Sequence, residues 1–261
     1  MLRVISVNVN GIRAAAKKGL FEWLLTQQAD VICVQETKAQ ESQLNDDAYR
    51  LPGYYRYFHD AQKRGYSGVA LYSKTEPLKI TRGFGMPLAD GEGRYIQADY
   101  EGIRIASVYL PSGTSGEARQ QVKYEVLDHF SNFLDSTKAD QREYIVCGDF
   151  NIAHHPIDLK NWRSNQKNSG FLPQERAWLD KLFDQQDYVD AFRVVNQEPE
   201  QYTWWSSRGQ AWANNVGWRI DYHIVTPGLK QRILDASIYK GQQFSDHAPL
   251  TIDYDISILK L

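Results

Sequence analysis

The stretch Tyr144-Ile-Val-Cys-Gly-Asp-Phe-Asn151 decides the fold of this 261-residue chain. Its first four residues are apolar or aromatic, and such a run is typical of a short strand buried on both faces. Gly148 ends the run, and Asp149 and Asn151 follow. Asp and Asn are common in turns after strands, but a carboxylate beside a buried strand loses hydration unless it is paired or binds a partner. A repeat of this pattern elsewhere in the chain therefore favours a functional site.

Three other predicted strands also end on a polar side chain. These strands cover residues 3–8, 30–36 and 104–109, and two further polar groups lie at or before the start of later strands. The polar residues are Asn8, Glu36 and Tyr109 at the strand ends, and Asp221 and Asp246-His247 at the strand starts. If the later strands run antiparallel to the earlier ones, these groups share one edge of the fold with Asp149 and Asn151.

The remaining pattern predicts helices around the strands. Helical spacing of apolar residues predicts helices over residues 14–28 and 117–137, and a further helix begins at Pro173. Short strands split by Gly and Pro are predicted over residues 68–73, 78–81, 94–100 and 104–109, and a strand over residues 218–225 precedes a last strand near the end of the chain. The predicted fold class is α/β, with two mostly antiparallel β-sheets packed face to face and helices outside. We expect a single domain over residues 1–261.

Composition excludes several classes of protein. The net charge of −2 is not that of a globally basic nucleic-acid binder, although it permits a local basic groove. No run of about 18 apolar residues is present to span a bilayer, and no signal segment precedes the first strand, so we expect no membrane partner. Cys33 and Cys147 lie in apolar runs, which predicts buried thiols, a reducing compartment and a cytoplasmic location. We also expect a monomer.

The clustered polar residues are mainly carboxylates. Glu36, Asp149, Asp221 and Asp246 would bring several negative charges together, and such charges repel unless a cation or protons compensate. Carboxylate and amide oxygens with a single histidine, His247, suit Mg²⁺ or Mn²⁺. A zinc site would need more His or Cys ligands, and the spacing predicts none.

The remaining motifs narrow the chemistry. The sequence contains no Gly-rich phosphate loop of the known types and no Gly-x-Ser-x-Gly elbow. Of the reactions considered, metal-assisted attack of water on a phosphoester is the one left. In this reaction a carboxylate activates the water, and His247, held by Asp221, stabilises the developing charge. We interpret the loop pair His154-His155 as solvated or as local hydrogen-bond partners, because adjacent histidines on a loop converge poorly.

Several motifs resemble the exonuclease III family of apurinic/apyrimidinic endonucleases. They are Asn8-Val-Asn-Gly-Ile-Arg, Val34-Gln-Glu-Thr-Lys, Gly65-Tyr-Ser-Gly-Val-Ala, Gly148-Asp-Phe-Asn-Ile-Ala-His, Asn168-Ser-Gly-Phe-Leu-Pro-Gln-Glu-Arg, Gly217-Trp-Arg-Ile-Asp-Tyr and Ser245-Asp-His-Ala-Pro. The resemblance is ordered and covers essentially the whole chain. It implies a four-layered α/β sandwich and a Mg²⁺-dependent phosphodiesterase that cleaves DNA 5′ to abasic sites, with 3′–5′ exonuclease or 3′-end trimming activity.

The resemblance also implies roles for the clustered residues. Glu36 resembles the main metal ligand, with Asn8 and Asp246 as further metal residues. The implied catalytic residues are Asp149 and Asn151 for activating the attacking water, His247 with Asp221 for contacting the scissile phosphate, and Tyr109 for contacting the phosphate or the leaving group.

The partner implied by this resemblance is duplex DNA that contains an abasic site. Asn165 and Asn168 resemble phosphate-binding side chains of the DNA groove. Trp204, Trp218 and Ile220 resemble the apolar pocket that receives the flipped-out abasic sugar. Flipping costs least where no base is stacked, and this contributes to selectivity for damage.

A second resemblance leaves another function open. Ala14-Ala-Ala, Asn161-Trp-Arg, Tyr202-Thr-Trp-Trp and Thr226-Pro-Gly-Leu resemble the catabolite repression control proteins, which share this fold. That resemblance implies a translational regulator whose partners are RNA and an RNA chaperone, here with a retained active site. A third alternative is a phosphatase acting on a lipid or sugar phosphate, against which the lack of an amphipathic or polybasic membrane segment argues.

Overall fold

Runs of β-branched and aromatic residues form the strands of the computed structural model, which describes residues 1–140 and 142–258. The strands are β1 (Leu2–Asn8), β2 (Val31–Gln35), β3 (Tyr55–His59), β4 (Val69–Ser73), β5 (Lys79–Arg82), β6 (Tyr95–Asp99), β7 (Ile103–Tyr109), β8 (Glu143–Asp149), β9 (Val189–Asp190), β10 (Trp204–Trp205), β11 (Gly217–Trp218), β12 (Asp221–Val225), β13 (Ile233–Ile238) and β14 (Leu250–Tyr254). The short pair β10 and β11 forms a small sheet of its own.

Seven α-helices connect the strands in the described part of the chain. They are α1 (Ile12–Lys17), α2 (Leu20–Thr26), α3 (Pro87–Gly91), α4 (Glu117–Thr137), α5 (Trp162–Asn165), α6 (Pro173–Asp180) and α7 (Ala191–Val195). A π-helical turn, Lys181–Gln185, continues α6. None of the helices described is long and apolar enough to cross a membrane.

The two large sheets have matching strand arrangements. Their orders are β13-β14-β1-β2-β4-β3 and β5-β6-β7-β8-β12-β9. The central pairs β1–β2 and β7–β8 are parallel, and the other neighbours are antiparallel. This confirms the predicted α/β sandwich with two mostly antiparallel sheets packed face to face. The prediction of one domain over residues 1–261 includes residues outside the described ranges and stays a prediction.

Apolar side chains fill three layers of packing around the sheets. Cys33 and Cys147, both free thiols, lie in the core between the two sheets. Ile12 and Leu20 pack under the outer face of the first sheet, and Phe130 of α4 packs under that of the second. Each large side chain buried in this way contributes about 1.5–3 kcal/mol from removal of apolar surface from water. The parallel strand pairs are thereby covered on both faces.

Three element predictions were wrong or incomplete. The single helix over residues 14–28 is two helices, because Gly19 adopts the left-handed conformation with φ 85° and breaks the hydrogen-bond ladder. The strand over residues 218–225 is interrupted after β11, where the Arg219 N–H donates to the Asp158 carbonyl instead of to a neighbouring strand. Strands β3 and β13 were missed because both are edge strands with partly exposed residues, whose apolar pattern is weak.

A buried ion cluster anchors the loop after β8 to β12. Asp158 is fully buried, and its Oδ1 accepts hydrogen bonds from Arg219 Nε at 2.8 Å and from Arg193 at 2.7 Å. Arg219 also donates to both carboxylate oxygens of Asp190. Burial alone would raise the pKa of Asp158, but Arg219 and Arg193 outweigh it and hold the pKa well below its ordinary value of 3.8. The cluster therefore depends on an ionised Asp158.

Replacing Asp158 by Asn is expected to lower the free energy of unfolding at pH 7 by about 3 kcal/mol, because it leaves buried Arg219 partly uncompensated. Since the folded pKa of Asp158 lies below the unfolded value, its stabilisation is present above about pH 4 and is lost as the pH falls. The difference in free energy of unfolding between wild type and variant therefore shrinks in acid. Urea unfolding at pH 7 and at about pH 2 measures this change.

The matched control for this change is Asp255→Asn, which removes an exposed acid that lies 3.8 Å from Arg232. An exposed pair of this kind contributes about 0–1 kcal/mol, so the control is expected to be nearly neutral. Equal small losses for both variants would show that the Asp158 cluster does not stabilise the fold.

Candidate active site

Strand direction brings the predicted polar groups to one edge of the sandwich. β1 and β2 run parallel, so Asn8 lies opposite Gln35, next to Glu36. β7 and β8 are also parallel and pair Tyr109 with Asp149. Because β12 is antiparallel to β8, its first residue, Asp221, pairs with Asp149 as well. The antiparallel arrangement on which the sequence argument depended is therefore present.

A cleft of about 500 Å³ opens at this edge. The predicted residues that line it are Glu36, Tyr109, Asp149, Asn151, Asn165, Asn168, Trp204, Trp218, Ile220, Asp246 and His247. The other two predicted residues, Asn8 and Asp221, are buried and contact the lining carboxylate and imidazole from behind. The structure thus assembles residues from distant parts of the chain in one cavity.

Asp149 is the most deeply buried carboxylate of the cleft wall, with 1% of its surface exposed. Its Oδ1 accepts a hydrogen bond from the Asn151 backbone N–H at 2.8 Å, and its Oδ2 accepts one from Asn8 Nδ2 at 2.9 Å. Burial raises the pKa of Asp149 to about 8, with Asp221 and Glu36 adding to the rise and His247 opposing it. In the absence of a bound cation this carboxyl group holds a proton readily.

His247 is held between two carboxylates. Its Nδ1 lies 2.8 Å from Asp221 Oδ2, and its Nε2 lies 3.7 Å from Asp149 Oδ2. Burial would lower the pKa of His247, but Asp221 and Asp149 outweigh it and raise the pKa to about 10. Asp221 therefore orients the imidazole and favours its protonated form, with Nε2 directed at the cleft.

Glu36 lies at the front of the acidic cluster. Its Oε1 accepts a hydrogen bond from Asn8 Nδ2 at 2.9 Å, and its Oε2 pairs with Lys38 Nζ at 3.0 Å. Glu36 has φ 51°, and Lys38, Asn10 and Asn151 also adopt positive φ. Such strained non-glycine backbones are rare and concentrate at functional sites, because the surrounding contacts must hold them in place.

The acidic cluster fits a hard divalent cation. One ligand atom from each of Glu36, Asp149 and His247 lies within 4.8 Å of the others. The two carboxylates suit oxygen-preferring ions, whereas the protonated imidazole of His247 has no lone pair to offer an ion. Burial and mutual repulsion, which raise the pKa of Asp149, are also relieved by a cation. The residues present therefore fit a divalent metal ion.

The other two predicted metal residues make hydrogen bonds at the same edge, and their metal roles stay predictions. Asn8 bridges Glu36 and Asp149 with its amide nitrogen, while its Oδ1 accepts a hydrogen bond from the Asn10 N–H at 2.9 Å. Both carboxylate oxygens of Asp246 are occupied, by Asn10 Nδ2 and by Trp204 Nε1, each at 3.0 Å. Asn8 thus orients the two carboxylates, and Asp246 lies beside the three-residue cluster.

Tyr109 presents a protonated phenol to the cleft. Burial, followed by the charge of Glu36, raises the pKa of Tyr109 well above its ordinary value of 10.0. The guanidinium of Arg94 lies 4.6 Å from the Tyr109 ring centroid and donates to the Tyr109 carbonyl at 2.9 Å. Tyr109 is therefore a hydrogen-bond donor held in a defined orientation.

The predicted DNA-binding residues form the far wall of the cleft. Trp204 and Trp218 meet edge to face, with centroids 6.3 Å apart at 80°, and belong to one apolar cluster with Ile220. Asn168 Nδ2 donates to Asn165 Oδ1 at 2.8 Å on an exposed loop. The wall therefore combines an apolar surface with polar amides at its rim.

A buried ion pair behind the cleft was missed in the sequence. Lys123 Nζ binds Glu175 Oε1 and donates to the Asn151 carbonyl at 2.8 Å. Glu175 Oε2 accepts hydrogen bonds from the Gly170 and Leu172 backbone N–H groups. The pair ties the Asn151 segment to the loop that ends at Gly170. The only sequence signal was a lysine on the apolar side of the helix over residues 117–137.

The fold and the acidic cleft are those of a hydrolytic enzyme, and comparisons of the chain with known proteins agree with this class. The Endonuclease/Exonuclease/phosphatase family profile matches residues 5–247, and the chain belongs to this family. Within it, the chain is 40% identical over 258 residues to the exodeoxyribonuclease of Bacillus subtilis, covering 98% of this chain and 100% of the relative. It is also 36% identical over 256 residues to the DNA repair nuclease APEX1 of Danio rerio, covering 96% of this chain and 81% of the relative.

A solved structure supports the same assignment. The apurinic/apyrimidinic endonuclease of Archaeoglobus fulgidus superposes with a TM-score of 0.90 at 28% identity, covering 98% of this chain and 100% of that one. Together these similarities confirm the predicted resemblance to the exonuclease III family. The resemblance to catabolite repression control proteins, with RNA and an RNA chaperone as partners, stays a prediction.

Proposed function

We propose that this protein is a Mg²⁺-dependent DNA repair nuclease that hydrolyses the phosphodiester bond 5′ to an abasic site and also trims 3′ ends. The observation that carries the proposal is the contact of buried Asp149 with His247 at 3.7 Å, beside Glu36 in an open cleft. A proton acceptor and a cationic hydrogen-bond donor in this position promote the attack of water on an anionic phosphate ester. The similarity to an exodeoxyribonuclease and to a DNA repair nuclease supports hydrolysis of DNA phosphodiester bonds.

Each residue of the cleft has a defined task in this proposal. Asp149 Oδ2 accepts the proton of the attacking water as the new oxygen–phosphorus bond forms. His247, kept protonated by Asp221, donates from Nε2 to a non-bridging phosphate oxygen and stabilises the charge that develops there. A bound divalent ion supplies Lewis-acid polarisation of the phosphoryl group. Glu36 would hold that ion beside Asp149, while His247 keeps its proton and stays outside the ligand set.

The leaving oxygen requires a proton when the bond from phosphorus to the 3′-oxygen breaks. The Tyr109 phenol retains its proton at neutral pH because its pKa is raised by burial and by Glu36. We assign it to the leaving-group side of the phosphate. Asn151 donates its amide N–H to the Leu110 carbonyl at 2.8 Å, and its Oδ1 remains available to orient the attacking water.

The aromatic wall supports specificity for an abasic sugar. Trp204, Trp218 and Ile220 offer an apolar surface inside the cleft, which suits a flipped-out sugar that carries no base. Asn165 and Asn168 at the rim are suited to phosphate oxygens, which position the duplex without reading its sequence. These features support duplex DNA with an abasic site as the proposed substrate.

Replacing Trp218 by Ala is expected to lower kcat/KM for an abasic duplex about 10-fold, because one apolar wall contact contributes roughly 1–3 kcal/mol of discrimination. Trimming of an undamaged 3′ end should change less, since that substrate places no abasic sugar against the wall. Steady-state kinetics on both substrates measures the ratio. Trp218→Phe, which keeps an aromatic wall, is the matched control, and an Ala variant equal to the Phe variant on both substrates would contradict this role.

The proposed function is tested with a labelled duplex that contains one tetrahydrofuran abasic analogue. The purified protein is expected to nick this duplex 5′ to the lesion with Mg²⁺, to lose the activity in EDTA and to spare the undamaged duplex. Mn²⁺ tests the ion preference, and Asp149→Asn, purified identically, excludes a contaminating nuclease. Absence of a metal-dependent nick by the folded wild-type protein would overturn the proposal.

A further inference from the structure

A second group of metal-ligand side chains lies outside the cleft wall. One ligand atom from each of His154, His155 and Asp180 lies within 4.8 Å of the others. His154 Nε2 is 2.7 Å from Asp180 Oδ1, and the two imidazole rings stack with centroids 3.6 Å apart. The prediction that the adjacent histidines would not converge was therefore wrong. Helix α6 ends at Asp180 beside the loop after β8 and completes a three-residue group that the linear sequence does not suggest.

The group is held in place before any ion binds. His154 is buried to 7% exposure, and its ring contacts Phe183 at a centroid distance of 5.3 Å. The His155 N–H donates to Asp158 Oδ2 at 3.0 Å, and Asp158 is itself fixed by the buried arginine cluster. Asp180 and His155 are exposed, so an ion can reach them from solvent. Little conformational entropy is lost when such a group closes on a ligand.

The spacing of the two rings also favours a shared ion. Two positively charged imidazolium rings at the stacking distance of 3.6 Å would repel one another, whereas a metal ion binds both imidazoles in the neutral form.

We propose that His154, His155 and Asp180 form a binding site for a divalent transition-metal ion of the Zn²⁺ class, separate from the hard-cation cluster in the cleft. Two imidazoles and one carboxylate are a donor set that Zn²⁺ uses with water at the remaining position. The cleft cluster has the opposite balance, two carboxylates beside one protonated imidazole, and favours oxygen-preferring ions. The protein thus separates two classes of metal ion by ligand chemistry.

The proposed ion joins two segments that approach the cleft from different directions. His154 and His155 follow Asn151 on the loop after β8, and Asp180 ends the helix that contains Glu175, the partner of Lys123. An ion bound to both segments acts as a clip on the folded state. Because the unfolded chain does not bring the three ligands together, binding raises the unfolding temperature.

The test is titration of the chelator-treated full-length protein with ZnCl₂ in excess Mg²⁺, followed by calorimetry and by thermal unfolding. We expect one Zn²⁺ per chain in wild type and a rise in unfolding temperature of about 5 °C at saturation. His155→Ala and Asp180→Asn are each expected to weaken binding at least about 10-fold and to abolish the temperature shift. Both residues are exposed, so these variants should fold.

Two control variants make the assignment specific. Glu36→Gln, which alters the cleft cluster, should keep both the Zn²⁺ stoichiometry and the temperature shift. His129→Ala removes an exposed histidine elsewhere on the surface and should also leave both unchanged. With Co²⁺ as a probe, the wild type should show visible absorption that His155→Ala lacks.

Zn²⁺ binding that survives in His155→Ala, or that is lost in Glu36→Gln, would overturn the proposal, as would an absence of binding in wild type. None of these readouts depends on nuclease activity, so the proposal can fail independently of the proposed function.

Discussion

Asp149→Asn is expected to lower kcat for nicking an abasic duplex about 10³-fold, within the range that a general base contributes. An amide cannot take the proton of the attacking water, although it fills the same space. The amide oxygen can still accept a hydrogen bond from the Asn151 N–H, as the carboxylate does at 2.8 Å, but the amide nitrogen then faces Asn8 Nδ2, so the Asn8 amide must turn. KM should change little, and single-turnover kinetics with saturating enzyme separates the chemical step from binding.

The same substitution is expected to stabilise the metal-free protein at high pH. The folded pKa of Asp149 is about 8 and the ordinary value is 3.8, so the folded chain keeps a proton that the unfolded chain releases. This contribution to stability is present below about pH 4 and is lost as the pH rises through 8. The Asn variant has no such loss. The free energy of unfolding of the Asn variant, measured in urea and relative to wild type, should therefore increase between pH 5 and pH 9.

Asp158→Asn provides the matched control, because Asp158 is also a buried aspartate but lies in the arginine cluster. It should behave in the opposite way. Its free energy of unfolding at pH 7 should be lower than that of wild type, and the rate of the chemical step per folded molecule should be almost unchanged. If Asp149→Asn retained wild-type kcat, or if both variants lost activity only in proportion to stability, Asp149 would not be the proton acceptor.

Glu36→Gln is expected to reduce kcat/KM at low Mg²⁺ about 10³-fold, because it removes charge from the cluster that would hold the ion. Gln matches Glu in shape and can still accept a hydrogen bond from Asn8. Lys38, now 3.0 Å from Glu36 Oε2, loses its ion-pair partner, which adds uncompensated positive charge beside the site. Activity measured across a Mg²⁺ titration should show a higher half-saturating concentration and partial recovery at high Mg²⁺.

Glu41→Gln is the control for this prediction, because Glu41 is an exposed acid a few residues further along the same segment. It should leave the Mg²⁺ titration unchanged. A Glu36→Gln enzyme with the wild-type Mg²⁺ requirement would place the ion elsewhere in the cleft. That outcome would direct attention to Asp246, which lies at the same edge with its oxygens bound to Asn10 and Trp204.

Much of the fold follows from local sequence patterns. The predicted helix over residues 117–137 has the observed bounds of α4, because its apolar stripe is long and has a clear period. The buried strands β1, β2 and β8 were also predictable, since each is a short apolar run that stops at a polar residue. The shared edge followed from one further assumption, the antiparallel direction of β12, which the pairing of Asp221 with Asp149 satisfies.

The orientation of side chains within the site did not follow from these patterns. Asn8 directs its amide nitrogen at two carboxylates, although it was expected to be a metal ligand. Asp246 accepts a hydrogen bond from Asn10, a residue 236 positions away in the chain. The pairing of Lys123 with Glu175 and the His154-His155 stack against Asp180 likewise depend on where separate helices and loops pack.

The sequence alone therefore determined the buried strands β1, β2 and β8 and the polar groups that follow them. The tertiary structure alone decided which atom of each group faces its neighbour, and hence which carboxylates compete for a proton or a cation. The reason is physical. Apolar periodicity is a local property that a short window of residues contains, whereas a hydrogen bond of about 3 Å requires two segments to be positioned by the packing of the whole fold.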